Sequence, residues 1–285
     1  IAGSDFVVIT VKSQATRQAI EAAAPHLGEA AVVSIQNGIN DHVLREFVPA
    51  ERLVMGMTAT NMAIFEPGAV TMQLDGLTVF GPPVDVPLGE AVEKTFELFN
   101  RIQGVGLRFL AHPNAIGMRY NKLTINALGY ASCLSNSNFV TEAIAHRGWR
   151  HTVGRPIVDE CRRVFDAAGV KLEAVPDRSN LPKLERLMRM LDRPLLSGII
   201  RFGARQIYTK KPIVFSLGLD LERGKTTEVD HVNGEIVRLA ETAGTTAPIN
   251  TEICRMVHEL EARGDRSFFT REEVISRIAA AADRS

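Results

Sequence analysis

The sequence predicts an α/β class fold: a partial Rossmann-type parallel sheet domain followed by an all-helical C-terminal domain. Three observations carry this. Phe6–Val11 and Ala31–Ile35 are continuous apolar, β-branched runs, as strands buried on both faces of a parallel sheet require. The segment Gln14–Ala24 between them reads as a helix, which gives the strand–helix–strand unit of an α/β sheet. Beyond Pro113 strand-like runs nearly vanish and helical stripes take over.

Taken in order, Leu53–Met57 is a third strand, and Val70–Leu74 and Leu77–Phe80 flank Asp75-Gly76, a hairpin signal. Leu88, Val92, Phe96, Phe99 and Ile102 form a helical stripe. Val105–Leu110 is short and extended, and His112-Pro113 breaks the chain. Helices are expected at 114–134, 138–147, 149–168, 182–192, 195–208, 230–243 and 249–263. The domain boundary is placed near residue 112, giving domains 1–112 and 113–285. Within the second, Pro176–Lys211 carries Arg and Leu at helical spacing, as an inserted helical pair would.

Composition excludes several function classes. The 285 residues suffice for two domains with a large core. Lys+Arg and Asp+Glu both number 33, and the basic residues are scattered, so no stripe marks a nucleic-acid partner. Cys133, Cys161 and Cys254 are few, odd in number and far apart, which argues for a reducing compartment and a cytoplasmic protein rather than a disulfide framework. No apolar run reaches transmembrane length, and the seven histidines show no metal-ligand spacing.

The chemistry-bearing residues lie in separated segments. Lys122 and Asn126 stand one helical turn apart and point the same way. Downstream come Ser216-Leu-Gly-Leu-Asp220, Glu228 and Asn233-Gly234. An ammonium donor, a neutral amide and a distant carboxylate are what an enzyme needs to protonate a carbonyl oxygen while hydride arrives from elsewhere. The bland reading is a solvated helix face. Lys12, Asn37 and Gly38 fall just past the carboxyl ends of predicted strands, where open α/β sheets bind ligands; a plain strand-to-helix turn is the bland alternative. Thr227 and Asp230 suit the capping of a helix beginning near Asp230. The dinucleotide fingerprint G-x-G-x-x-G is absent, and Gly104-Val-Gly106 has only its first half.

Together these stretches resemble the ketopantoate reductase (2-dehydropantoate 2-reductase) family. They are Val11-Lys12-Ser13, Gln36-Asn37-Gly38, Tyr120-Asn-Lys122-Leu-Thr-Ile-Asn126, Ser216 to Asp220, Thr227-Glu228-Val-Asp230-His-Val-Asn233-Gly234 and Pro248-Ile-Asn250. The resemblance runs from Asp5 to the end. It implies an NADP-binding Rossmann-type domain, a helical domain, and a small 2-oxo acid substrate between them, reduced to the 2-hydroxy acid in pantothenate and coenzyme A synthesis. It implies Lys122 as general acid with Glu228 in support, and substrate contacts from Asn126, Ser216, Asp220 and the position held by Tyr130. Lys12, Asn37 and Gly38 would meet the cofactor. No metal, membrane or nucleic acid is expected, and a homodimer is compatible.

The sequence departs from the family in three ways. The first strands and the glycine loop, about 60–80 residues, have no counterpart. An exposed sheet edge beside Phe6–Val11 and no NADPH binding by the chain from Ile1 are therefore expected. Tyr120 stands where Trp is common. Tyr130 stands where a second Asn often contacts substrate, which points toward another branched 2-oxo acid. The alternatives are another Rossmann-plus-helical dehydrogenase, of opine or 3-hydroxy acid type, and a non-catalytic scaffold or dimerisation protein.

Overall fold

The computed structural model describes residues 1–102, 106–176, 181–193, 216–265 and 267–284. These form two compact units, Ile1–Asn121 with Lys171–Arg178, and Lys122–Val170 with Ser179–Ser285.

The first unit is built on a five-stranded sheet of order β1-β2-β3-β6-β7. Strands β1 (Phe6–Ile9), β2 (Ala31–Ser34) and β3 (Leu53–Thr58) pair in parallel. Helix α1 (Thr16–Ala23) links the first two, and a single turn, α2 (Asp41–Leu44), follows the second. Every residue of β2 is buried, which explains its uninterrupted Ala-Val-Val-Ser run.

The expected hairpin across Asp75-Gly76 does not form. Strand β5 (Ala69–Leu74) pairs instead with β4 (Asn61–Glu66) across a Pro67-Gly68 turn, with Gly68 at φ +81°. At Gly76 the chain crosses its own backbone: a Cβ there would sit 2.3 Å from the Ala59 carbonyl carbon, so only glycine fits. Strand β6 (Leu77–Gly81) then returns antiparallel to β3. No helix intervenes between β3 and β6, so nothing reverses the chain to make them parallel. Helix α3 (Glu90–Asn100) does supply such a crossover, and β7 (Arg108–Ala111) lies parallel to β6.

Alternate residues of β6 build two cores, as the pleat dictates. Phe80 packs with Val33, Val54, Val92, Phe99 and Phe109, the three rings at centroid distances of 4.9–6.1 Å. Leu77 and Val79 pack with Met57, Ala115, Met118 and Val175. Helix α4 (Ala115–Cys133) starts there, and Asn114 caps it by accepting the Gly117 N–H at 3.0 Å.

The second unit contains the rest of α4, then α5 (Phe139–Ala145), α6 (Arg147–Trp149), a π-helical turn (Arg150–Gly154) and α7 (Arg155–Ala167). After α8 (Leu181–Leu191) come α9 (Ser216–Glu222), α10 (Val229–Thr242), α11 (Pro248–Ala262) and α12 (Arg271–Ala282). Among the described residues after Ala111 there is no strand, as the loss of β-branched runs foretold. The helix expected at 195–208 lies outside the described residues. Helix α12 carries a Thr270–Glu273 capping box, a start signal the hydrophobic pattern alone does not display.

The π turn has a local cause. Pro156 has no N–H to return to residue 152, and the wider turn accommodates its ring. Trp149 is fully buried against Gly154, where a Cβ would meet its ring at 2.9 Å.

Arg150, also fully buried, donates to the carbonyls of Ala143 and Leu191 and to the Asp192 carboxylate. His151 and Arg155 reach the same carboxylate. Burial alone would raise the Asp192 carboxyl, but the Arg150 and His151 hydrogen bonds and the Arg155 charge hold it below its ordinary value. A depressed carboxylate stabilises the fold above its unfolded pKa of about 3.9, and the contribution fades as pH falls through the folded value. Urea midpoints measured against pH should therefore drop below about pH 4 more steeply in the wild type than in Asp192→Asn. Parallel curves would show that Asp192 does not couple proton binding to folding.

Candidate active site

The helical unit brings three of the singled-out residues together. Lys122, Asn126 and Tyr130 follow one another at intervals of four along α4, within about 80° of arc on one side of the helix. Lys122 and Asn126 are half-buried. Tyr130 is 0% exposed, and its hydroxyl oxygen accepts the Glu228 N–H at 2.8 Å. That bond fixes the start of α10 against α4.

The Tyr130 phenol titrates well above its ordinary range. Burial is the main cause, and the charges of Glu228 and Asp220 add to it. Asp220 sits half-buried on α9, and Ser216 is the first residue of that helix. Expected among the substrate contacts, Tyr130 is thus enclosed by the chain itself, with its oxygen engaged by main chain.

Glu228, 9% exposed, occupies the N-cap position of α10, which begins at Val229. Its side chain makes no capping bond. The Thr227 hydroxyl accepts the Val229 N–H at 3.2 Å, and the Thr227 N–H donates to Glu261 at 2.7 Å. The expected Thr227–Asp230 capping pair does not form: Glu228 takes the N-cap position, and the Thr227 hydroxyl closes a two-residue turn onto the Val229 N–H instead.

Asn233 and Asn250 join a buried polar network instead. Asn233 Nδ2 donates to Asn250 Oδ1 at 2.8 Å, and the Glu160 carboxylate accepts the Ile249 and Asn250 N–H groups and Asn250 Nδ2. The Asn233-Gly234 and Pro248-Ile-Asn250 stretches therefore hold α10 and α11 in place.

In the sheet unit, Lys12 and the Asn37-Gly38 turn stand at the carboxyl ends of β1 and β2. Lys12 is exposed. Hydrogen bonds tie these two strand ends into one piece: Ser13 Oγ donates to the Asn37 carbonyl at 2.8 Å, and Gln36 Nε2 donates to the Val11 carbonyl and to Thr16 Oγ1, both at 2.7 Å. Asn40 Nδ2 donates to Ser13 Oγ and to the Asn37 carbonyl. Gly38 adopts φ +73°, the left-handed conformation that favours glycine.

One participant escaped the sequence reading. Arg119, 3% exposed on α4, donates to the Gly38 carbonyl at 2.7 Å. Its signal was an arginine inside the apolar run Ile116-Gly-Met118-Arg-Tyr120, where a charge needs a buried partner. Among the described residues no group of His, Cys, Asp and Glu could hold a metal ion, and no helix is long and apolar enough to cross a membrane.

Two family profiles match the chain. "Ketopantoate reductase PanE/ApbA" covers residues 1–84, and "Ketopantoate reductase PanE/ApbA C terminal" covers residues 114–261. The 2-dehydropantoate 2-reductase of Pyrococcus horikoshii is 28% identical over 270 residues, 92% of this chain and 78% of that protein. A solved PanE/ApbA family ketopantoate reductase from Ralstonia eutropha superposes with a TM-score of 0.66 at 25% identity, over 91% of this chain and 76% of the other. D-mandelate dehydrogenase, solved with NADH, shares the fold at a TM-score of 0.66 and 18% identity, over 92% and 80%.

Proposed function

Because this chain belongs to the ketopantoate reductase family, we propose that it reduces 2-dehydropantoate, or a related branched 2-oxo acid, to the 2-hydroxy acid with NADPH. The setting is pantothenate and coenzyme A synthesis in the cytoplasm, and the protein acts as a homodimer. The observation that carries the reading is the Tyr130–Glu228 bond, which brings the Glu228 segment to the helix bearing Lys122 and Asn126.

Lys122 is the general acid: its ammonium hydrogen-bonds the ketone oxygen and gives up a proton as alkoxide charge develops. Glu228 holds the ammonium in place. Asn126 and Ser216 bind the substrate, and Asp220 orders the surrounding pocket. Tyr130 in place of a substrate-facing amide favours a 2-oxo acid that needs no hydrogen bond at that point.

Lys12, Asn37 and Gly38 are assigned to the cofactor. The loops 12–15 and 36–40 present the Lys12 ammonium and the Asn37 amide and hold no carboxylate, which fits an anionic dinucleotide. The bound cofactor supplies the hydride. Arg119 holds the Asn37-Gly38 turn, so Arg119→Met is expected to raise the NADPH KM about 10-fold, the weight of a lost charged hydrogen bond, with little change in kcat. An unchanged KM would detach Arg119 from cofactor binding.

Steady-state assays of the full-length protein with NADPH, NADH and a panel of 2-oxo acids test the whole reading. Folded protein that oxidises neither cofactor with any 2-oxo acid would remove it.

A further inference from the structure

We propose that Tyr130 is a positioning residue, which orients the Glu228 carboxylate by holding the main chain at the start of α10. The inference rests on the proposed reduction and on the part assigned to Glu228 in it.

Helix N-termini expose N–H groups that attract the nearest side-chain acceptor, and a glutamate at the N-cap is such an acceptor. Here three consecutive N–H groups are already engaged elsewhere. Thr227 N–H goes to Glu261 Oε1, Glu228 N–H to Tyr130 Oη, and Val229 N–H to Thr227 Oγ1. The main chain on both sides of Glu228 is thereby pinned, and the Glu228 side chain makes no capping bond to its own helix.

Tyr130 is suited to this part. It is fully buried, so it does not exchange the N–H for water. The Thr227 hydroxyl holds the next N–H, that of Val229, at 3.2 Å, so two hydroxyls secure consecutive main-chain groups at this turn. Burial keeps the phenol protonated throughout the working pH range, so its neutral oxygen remains the acceptor of the Glu228 N–H. A residue placed at 130 to touch substrate would not need to be enclosed in this way.

The test is a double-mutant cycle on the full-length protein, following NADPH oxidation with 2-dehydropantoate. Tyr130→Phe keeps the ring and removes the acceptor. It is expected to lower kcat about 10- to 100-fold, as small misplacements of a reacting group do, with the NADPH KM unchanged. In a Glu228→Gln background the same substitution should have no further effect on kcat, because the group it positions is already gone. Thr227→Val, which removes the second hydroxyl, should lower kcat in the same background-dependent way and serves if Tyr130→Phe folds poorly. Equal fold-losses in both backgrounds, or wild-type turnover in Tyr130→Phe, would overturn the positioning role and leave the proposed reaction standing. Wild-type turnover in Glu228→Gln would instead overturn the reading on which the inference rests.

Discussion

Lys122→Ala is expected to lower turnover by about two to four orders of magnitude, the usual worth of a positioned general acid. That corresponds to roughly 3–5 kcal/mol of transition-state stabilisation. The proposal assigns Lys122 to the ketone oxygen, where negative charge appears only as hydride arrives, so the loss should fall on kcat and leave the NADPH KM nearly unchanged. Lys122→Arg separates charge from proton donation. An arginine keeps the cation but does not release a proton in the working pH range, so it should restore substrate binding better than turnover. Near-normal kcat in Lys122→Ala would remove the general acid and with it the chemical core of the reductase reading.

The elements that frame this chemistry were legible because they depend on local pattern. Strands β1 and β2 announce themselves as unbroken β-branched runs, and β2 is in fact buried along its whole length. Helix α4 was expected at 114–134 and runs from Ala115 to Cys133. The hairpin was misread because Asp75-Gly76 carries the residue types of a tight turn. Its glycine answers a different need, the crossing of Ala59 by a distant part of the chain, which no local window contains. The Pro67-Gly68 pair that does make the turn was equally visible in the sequence.

The site divides along the same line. The spacing of Lys122 and Asn126 could be read from helical periodicity. The surroundings of Tyr130 could not, because its partner Glu228 lies 98 residues away. Arg119 was hidden for the same reason: its acceptor is the Gly38 carbonyl, 81 residues distant.

Glu160 shows how far a residue outside the proposed chemistry can govern the fold. Helix α11 begins at Pro248, which has no N–H, and its N-cap Ala247 offers no side-chain acceptor. The next donors, Ile249 and Asn250 N–H, are met across the unit by Glu160 at 3.0 and 2.8 Å, and Asn250 Nδ2 adds a third bond at 2.8 Å. Glu160 is 3% exposed, so water does not replace it freely. Glu160→Ala leaves these three donors without an acceptor at about 1–3 kcal/mol each, less whatever relaxation recovers, for a net loss of about 3–5 kcal/mol. The thermal midpoint should fall by on the order of 10 °C. Glu160→Gln keeps one oxygen acceptor and turns an amide N–H toward the remaining donors, so it should fall between the two. Asn250→Ala removes one donor but strands Asn233 Nδ2, and should cost less than Glu160→Ala. At temperatures where Glu160→Gln remains folded, its kcat should match the wild type, because Glu160 acts on the seating of α11. A thermal midpoint within about 2 °C of wild type for Glu160→Ala would mean that the α11 terminus finds other acceptors. A fall in kcat without a fall in stability would move this network from the scaffold into the reaction.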